Sequence, residues 1–287
     1  AGPIIQAIKE FRRQRGGRSM APTVLEVGHL QVVVPRHFGF CFGVERAIHM
    51  AFCALAETPP RPTYLVSQII HNPLVNEELR RRGIRFLFDA RGRRRVPESQ
   101  VHGTDAVLIP AFGTTLHVEA SLRRSGIDTG TPQFRTRYDT TCPFVAKVWR
   151  RGEALGRAGY TVIIHGKFDH EETRATQSHS NRFGPTLVVL DREEARLVAD
   201  YIRGRVAAHD LAARLSTRWS PGFAPERDLV RVAVVNQTTM LADETRQVSR
   251  ILREALRHRY GAAELARHWA DTSDTLCYAT NRNQNAT

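Results

Sequence analysis

Lysine is nearly missing from this 287-residue chain. Lys9, Lys147 and Lys167 are the only lysines among 42 basic residues, and the other 39 are arginines; against 29 acidic residues they leave a formal net charge of +13. A charge of that size invites a nucleic-acid partner. The densest clusters, Arg80-Arg81-Arg82 and Arg91-Gly92-Arg93-Arg94-Arg95, lack the interleaved aromatics of a base-stacking platform. The expectation is therefore arginine spread over solvated faces, with no specific nucleic acid; such a surface suits an acidic partner or an anionic small molecule equally well. Also missing is any apolar run long enough to span a membrane, and residues 1–28 hold no apolar core of signal-peptide length. No membrane partner is expected. Cysteine is scarce, four residues with no local CxxC pair, which argues against a zinc knuckle. A reducing, cytoplasmic setting is expected, or a plastid if Arg12, Arg13, Arg15 and Arg18 mark a targeting remnant.

Three of the four cysteines stand where a thiolate is useful. Cys41 lies between Gly39 and Gly43, after the β-branched run Leu30–Pro35 and before a helix expected over Val44–Glu57. Helix-end N–H groups favour a thiolate there, although a small buried hydrophobe is an equal reading. Cys142 precedes Pro143, which suits a first helical turn that Thr140 or Thr141 could cap. Cys277 closes the set, at separations of 101 and 135 residues. Cys53, within the apolar stretch Ala47–Leu55, reads as core packing.

The remaining chemistry sits in loops that follow strands. Strand Tyr64–Ile70 ends at His71, before a helix from Pro73 to Arg82; strand Ala106–Ile109 leads to Phe112-Gly113-Thr114-Thr115 and a helix through Arg124. Helix Pro143–Arg157 and strand Tyr160–Ile164 introduce His165-Gly166-Lys167-Phe168-Asp169-His170-Glu171-Glu172-Thr173. His165, His170 and Glu172 are a candidate zinc set for a hydrolase, or could bind phosphate and deliver a proton; Asp169 and Glu171 read as solvated neighbours. Strand Leu187–Leu190, helix Arg192–Ile202 and a loose stretch at 204–228, expected as an insertion or hairpin over the site, lead on. Strand Leu229–Val235 then ends at Asn236-Gln237-Thr238-Thr239, before helix Ala242–Tyr260. Repeated strand–loop–helix order implies α/β lobes with parallel-rich sheets whose loops converge on one centre.

Seven motifs carry a family resemblance: GFCFGVERAI at Cys41, IIHNPLVNEEL at His71, LIPAFGTT at Phe112, DTTCPFVAKVW at Cys142, IIHGKFDHEET at His165, NQTTMLADET at Thr238 and TLCYATNRNQNAT at Cys277. In their order and wording the chain resembles the 4-hydroxy-3-methylbut-2-enyl diphosphate reductases, in their plant and cyanobacterial branch. The resemblance implies lobes around a 4Fe-4S cluster held by Cys41, Cys142 and Cys277. It implies diphosphate binding by His71 and His170, proton supply by Glu172 with Thr238, and a ferredoxin- or flavodoxin-type electron donor. Phe112 stands where many relatives have histidine; a phenyl ring cannot donate to phosphate, so a pocket wall is expected. The implied domains are a basic tail at 1–30, lobes at 31–141 and 142–275, and the start of a truncated third lobe at 276–287. A non-catalytic remnant is a further reading.

Overall fold

The protein, seen in a computed structural model, is described for residues 3–14, 21–35, 38–89, 91–272, 275–277 and 279. It divides into two compact units, Phe42–Cys277 and the remainder. The smaller unit holds helix α1 (Pro3–Gln14) and a hairpin of β1 (Thr23–Val27) and β2 (Leu30–Val34), paired antiparallel from Thr23↔Val34 to Val27↔Leu30. Arg12 ties helix to hairpin, donating to Thr23 Oγ1 at 2.6 Å and to the carbonyls of Val34 and Pro35 at 2.9 and 3.1 Å. The basic tail expected at 1–30 is thus structured where it is described; Arg15 and Arg18 lie outside the described residues. Leu30–Pro35 does form a strand, but it pairs with the β-branched run before it across the two-residue Gly28-His29 turn, not with a parallel neighbour. Val24, Val27, Leu30 and Val33 are exposed on this hairpin.

The larger unit opens with α2 (Phe42–Leu55), β3 (Thr63–Leu65), α3 (Pro73–Arg81), β4 (Arg85–Phe86), β5 (Ala106–Leu108), α4 (Leu116–Arg124) and α5 (Pro132–Arg137). Its sheet runs in the order β4-β3-β5, all parallel. The expected strand 64–70 stops early because the chain turns away after Val66, and Asn76 takes over the backbone: its Oδ1 accepts from Ile69 N–H at 3.1 Å and its Nδ2 donates to Ile70 O at 2.7 Å. On α2 the buried positions are Gly43, Ala47, Met50, Ala51 and Ala54. Cys53 falls on the opposite face, exposed, with His49 Nε2 3.5 Å from its Sγ; the expectation of core packing fails because 3.6-residue periodicity turns it outward.

The second half follows as α6 (Pro143–Arg157), β6 (Thr161–His165), α7 (Glu171–Ser180), β7 (Thr186–Val189), α8 (Arg192–Ile202), α9 (Ala208–Leu215), α10 (Pro225–Asp228), β8 (Val232–Asn236), α11 (Ala242–Tyr260), α12 (Leu265–His268) and β9 (Trp269–Ala270). Its sheet is β7-β6-β8-β9, parallel throughout. β6 and β8 are buried at every position, which explains their unbroken Val/Ile runs. The stretch 204–228 is not a hairpin over the site: it is largely helical, and it buries Leu211, Leu215 and Phe223 in the core beside Ile202 and Leu229. The hydrophobic clusters separate along the chain, one reaching to Tyr138 and the others starting at Val148. Trp149 of α6 stacks on His179 of α7 at 3.8 Å within the second half, and His179 Nε2, 3.0 Å from Thr114 O, links that pair to the first half.

The arginine clusters are locally partnered. Arg80, Arg81 and Arg82 pair with Glu77 and Glu78, and Arg93, Arg94 and Arg95 with Asp89 and Glu98. Arg80 lies over Phe86, Arg82 over Phe52 and Arg94 over Phe88, a use of the planar guanidinium that lysine serves less well. Among the described residues no helix is long and apolar enough to cross a membrane.

Candidate functional site

Parallel sheets offer ligands the C-terminal ends of their strands, and here those ends are stitched to one another. Past β3 and β5, Ala111 N–H donates to Ile69 O at 3.1 Å and Cys142 N–H donates to Ala111 O at 2.9 Å. The loops carrying His71, Phe112 and Cys142 therefore lie side by side. Past β6 and β8, Gln237 N–H donates to His165 O at 2.9 Å, while Gln237 Oε1 accepts from Lys167 N–H and Thr173 Oγ1 at 3.0 Å each. Gly166 makes this closeness possible, because a Cβ there would stand 2.8 Å from Thr173 Oγ1 and 2.9 Å from Gln237 Cβ.

His71 and His170 meet, with their Nε2 atoms 2.9 Å apart. The surrounding bonds assign the protons. His170 is the N-cap of α7, and its Nδ1 accepts from Glu172 N–H at 3.1 Å, so a neutral His170 carries its proton on Nε2 and donates to His71. His71 Nε2 then accepts, and its Nδ1–H faces Gln68 Oε1 at 3.3 Å. Burial, then the neighbouring His71 and Lys167, hold His170 down to about 4, and burial also lowers His71. Two neutral imidazoles result. Phe112 stacks on His71 at 4.3 Å and meets His170 edge-on at 5.4 Å, the packing role of a wall.

Two residues beyond His170, Glu172 is 1% exposed. Its Oε1 accepts from Thr238 N–H at 2.5 Å and its Oε2 lies 3.0 Å from Thr238 Oγ1. Burial pushes the carboxyl up to about 7 against the pull of both Thr238 bonds, so the acid form is populated near neutrality. Glu171, expected as a solvated neighbour, is 9% exposed and accepts from Ser67 Oγ at 3.1 Å; Asp169 is exposed. α7 is polar in sequence yet buries Glu171, Glu172, Thr173, Ala175, Thr176 and Ser180. The signal in the sequence was its run of small side chains, suited to a helix packed on several sides.

The zinc reading of His165, His170 and Glu172 fails on placement. His165 Nδ1 pairs with Thr245 Oγ1 at 2.8 Å, His170 with His71 and Glu172 with Thr238, three separate partnerships. Among the described residues no three His, Cys, Asp or Glu side chains group closely enough for a single ion. A cavity of about 710 Å³ on α11, lined by Arg246, Arg250, Leu265 and Trp269, holds none of the expected site residues.

Cys41, Cys142 and Cys277 are in no disulfide, and each is half-buried. Cys41 belongs to the smaller unit and directly precedes α2. Cys142 is itself the N-cap of α6, with no side-chain capping bond. Thr140, expected as a cap, spends its hydroxyl on Ile109 O at 2.6 Å. Arg46, a residue the sequence did not single out, donates to the carbonyls of Thr141 and Asp139 at 3.3 and 3.2 Å and so holds the Cys142 turn from α2. Thr275 Oγ1 donates to Asn236 Oδ1 at 3.0 Å, which anchors Cys277 to the end of β8 beside Thr238. The expected third-lobe start at 276–287 lies outside the described residues apart from Leu276, Cys277 and Ala279.

Residues 32–287 match the family described as LytB protein. The chain is 41% identical over 263 residues to a 4-hydroxy-3-methylbut-2-enyl diphosphate reductase of Prochlorococcus marinus, covering 92% of this chain and 62% of that protein. It is 41% identical to one from Gloeobacter violaceus, over 91% of this chain and 60% of the relative. The chain thus spans about three fifths of the length of these relatives. In fold it resembles a solved (E)-4-hydroxy-3-methyl-but-2-enyl diphosphate reductase, with TM-score 0.54, 24% identity, and 89% of this chain and 71% of that one covered. It also resembles the E-1-hydroxy-2-methyl-but-2-enyl-4-diphosphate reductase of Plasmodium falciparum, with TM-score 0.58, 21% identity, and 86% and 61% covered.

Proposed function

The chain belongs to the LytB protein family, and from that premise we propose that it carries out the reductive removal of a hydroxyl group from 4-hydroxy-3-methylbut-2-enyl diphosphate. The observation that carries this reading is the continuity of two chemistries at the head of α7: the His71–His170 pair is joined through the Glu172 N–H to a sealed acid on Thr238. One part suits an anion, the other a proton transfer to a neutral oxygen.

The donor set fits an iron–sulfur cluster. Three thiols outside any disulfide are its characteristic ligands, and two of them, Cys142 and Cys277, lie in turns held by Arg46 and Thr275. Cys41, Cys142 and Cys277 would hold it, and when bound it supplies electrons one at a time and a Lewis-acidic iron.

The chain's own residues do the rest. His71 and His170 take the diphosphate, exchanging their mutual hydrogen bond for bonds to phosphate oxygens. Phe112 excludes water from that face. Glu172 passes the proton on Oε2 through Thr238 Oγ1 to the departing hydroxyl, which leaves as water; with two electrons and a second proton on carbon the product is isopentenyl or dimethylallyl diphosphate. A ferredoxin- or flavodoxin-type donor in a reducing compartment, cytoplasm or plastid, would supply the electrons. The lobe boundary at 141/142 belongs to the same proposal, supported by the break between hydrophobic clusters from Tyr138 to Val148.

The test is anaerobic turnover of the diphosphate by the iron- and sulfide-reconstituted chain with a reduced viologen. Turnover abolished by Cys142→Ser supports the reading. A full cluster with no turnover overturns it for this chain.

A further inference from the structure

We propose that Ser67 and Glu171 are positioning residues whose buried hydrogen bond joins the loop bearing His71 to the helix end bearing His170 and so sets the spacing of the histidine pair. The proposal rests on the reading of that pair as the diphosphate site.

The two partners come from different halves of the unit. Ser67 follows β3 of one sheet and Glu171 opens α7 after β6 of the other, and Ser67 Oγ donates to Glu171 Oε2 at 3.1 Å with both side chains buried. A carboxyl at this depth needs a partner, and Ser67 supplies it. Burial drives Glu171 up to about 7, Ser67 and Arg174 pull it back, and Asp89 adds to the rise.

Each end of the bond is rigidly coupled to a histidine. Between Ser67 and His71, Asn76 pins Ile69 N–H and Ile70 O, and Ala111 N–H pins Ile69 O, so a shift at Ser67 is handed on to His71. Glu171 adjoins His170, whose Nδ1 is fixed by Glu172 N–H. The bond itself faces elsewhere. Ser67, Thr114, Glu171 and Arg174 line a cavity of about 280 Å³ that neither imidazole lines. Ser67 and Glu171 therefore act on the histidines through backbone and do not touch what the histidines touch.

The experiment compares the full chain with Ser67→Ala, Ser67→Thr and Glu171→Met by imidazole nitrogen NMR and by calorimetric titration with inorganic diphosphate. Ser67→Ala is expected to move the His71 and His170 resonances and weaken diphosphate about three- to tenfold, the worth of one hydrogen bond. Glu171→Met breaks the bond from its other end with a side chain suited to burial, and should reproduce both changes. Ser67→Thr keeps the hydroxyl and should stay within about twofold of the parent. Unmoved imidazole resonances in Ser67→Ala and Glu171→Met overturn the proposal, as does a Ser67→Thr protein as weak as Ser67→Ala. Failure of the parent chain to bind diphosphate would instead sink the reading of the histidines as a diphosphate site, while the resonances still decide whether the bond sets the pair.

Discussion

Thr238 addresses the carboxyl of Glu172 twice, with its backbone N–H on Oε1 and its hydroxyl on Oε2. The N–H can only donate, so Oε1 must accept; a proton on the acid therefore sits on Oε2, facing the one group that can both take and pass it. Oxygen identity is thus fixed by the backbone of a different strand end.

Glu172→Gln tests this directly. The amide oxygen can accept from Thr238 N–H and the amide nitrogen can donate to Thr238 Oγ1, so the pairing survives without an acidic proton. The expected result is a folded chain that reconstitutes its cluster to parental iron content and loses turnover by at least about a hundredfold, the scale of a general acid. Turnover near the parental value would remove Glu172 from the mechanism.

The same residue predicts a pH dependence of stability. The folded carboxyl titrates at about 7 against 4.5 for an ordinary glutamate, so the native state holds the proton more tightly. Its contribution is present in full below 4.5 and is lost as pH rises through 7, about 3 kcal/mol for a shift of this size. Glu171 has the same sign. His170 runs opposite: held down to about 4, it costs stability as pH falls from 6.5. Denaturant unfolding at pH 5 and pH 8 should show Glu172→Gln gaining on the parent at the higher pH. A constant gap would mean that Glu172 is not held as the acid.

Anion binding by the histidine pair carries its own signature. A diphosphate beside His71 and His170 raises both imidazoles from their depressed values, so binding takes up protons and weakens as pH rises from 6 to 8. Calorimetry in buffers of different ionisation enthalpy should report net proton uptake. Binding with no proton change would place the anion away from the pair.

Much of this was legible in the chain because punctuation and periodicity agree with tertiary demand. Helices Pro143–Arg157, Arg192–Ile202 and Ala242–Tyr260 lie where caps, prolines and apolar spacing put them. What escaped was whatever depends on a distant partner. Glu171 looks solvated until Ser67, 104 residues away, is beside it. Cys53 looks buried until the helix face is known, and Leu30–Val34 pairs with the strand before it and not with a parallel neighbour. The motifs singled out His71, His170, Glu172 and Thr238 as candidates, but only the hydrogen bonds between loops reveal which atom faces which.

Arg46 is the clearest of the residues that local sequence hides, and its loss has a defined consequence. Its guanidinium spans two carbonyls on the turn ending at Cys142, a fork that a lysine point charge cannot reproduce. Arg46→Lys should leave the fold intact, since the buried face of α2 is carried by Gly43, Ala47, Met50, Ala51 and Ala54, yet free the turn that aims the thiol. The expected outcome is lower iron and sulfide content after reconstitution, with thermal unfolding of the apo chain shifted by only a few degrees. Equal iron content in the two proteins would show that the Cys142 turn is held without Arg46, as by its N-cap position and its N–H bond to Ala111.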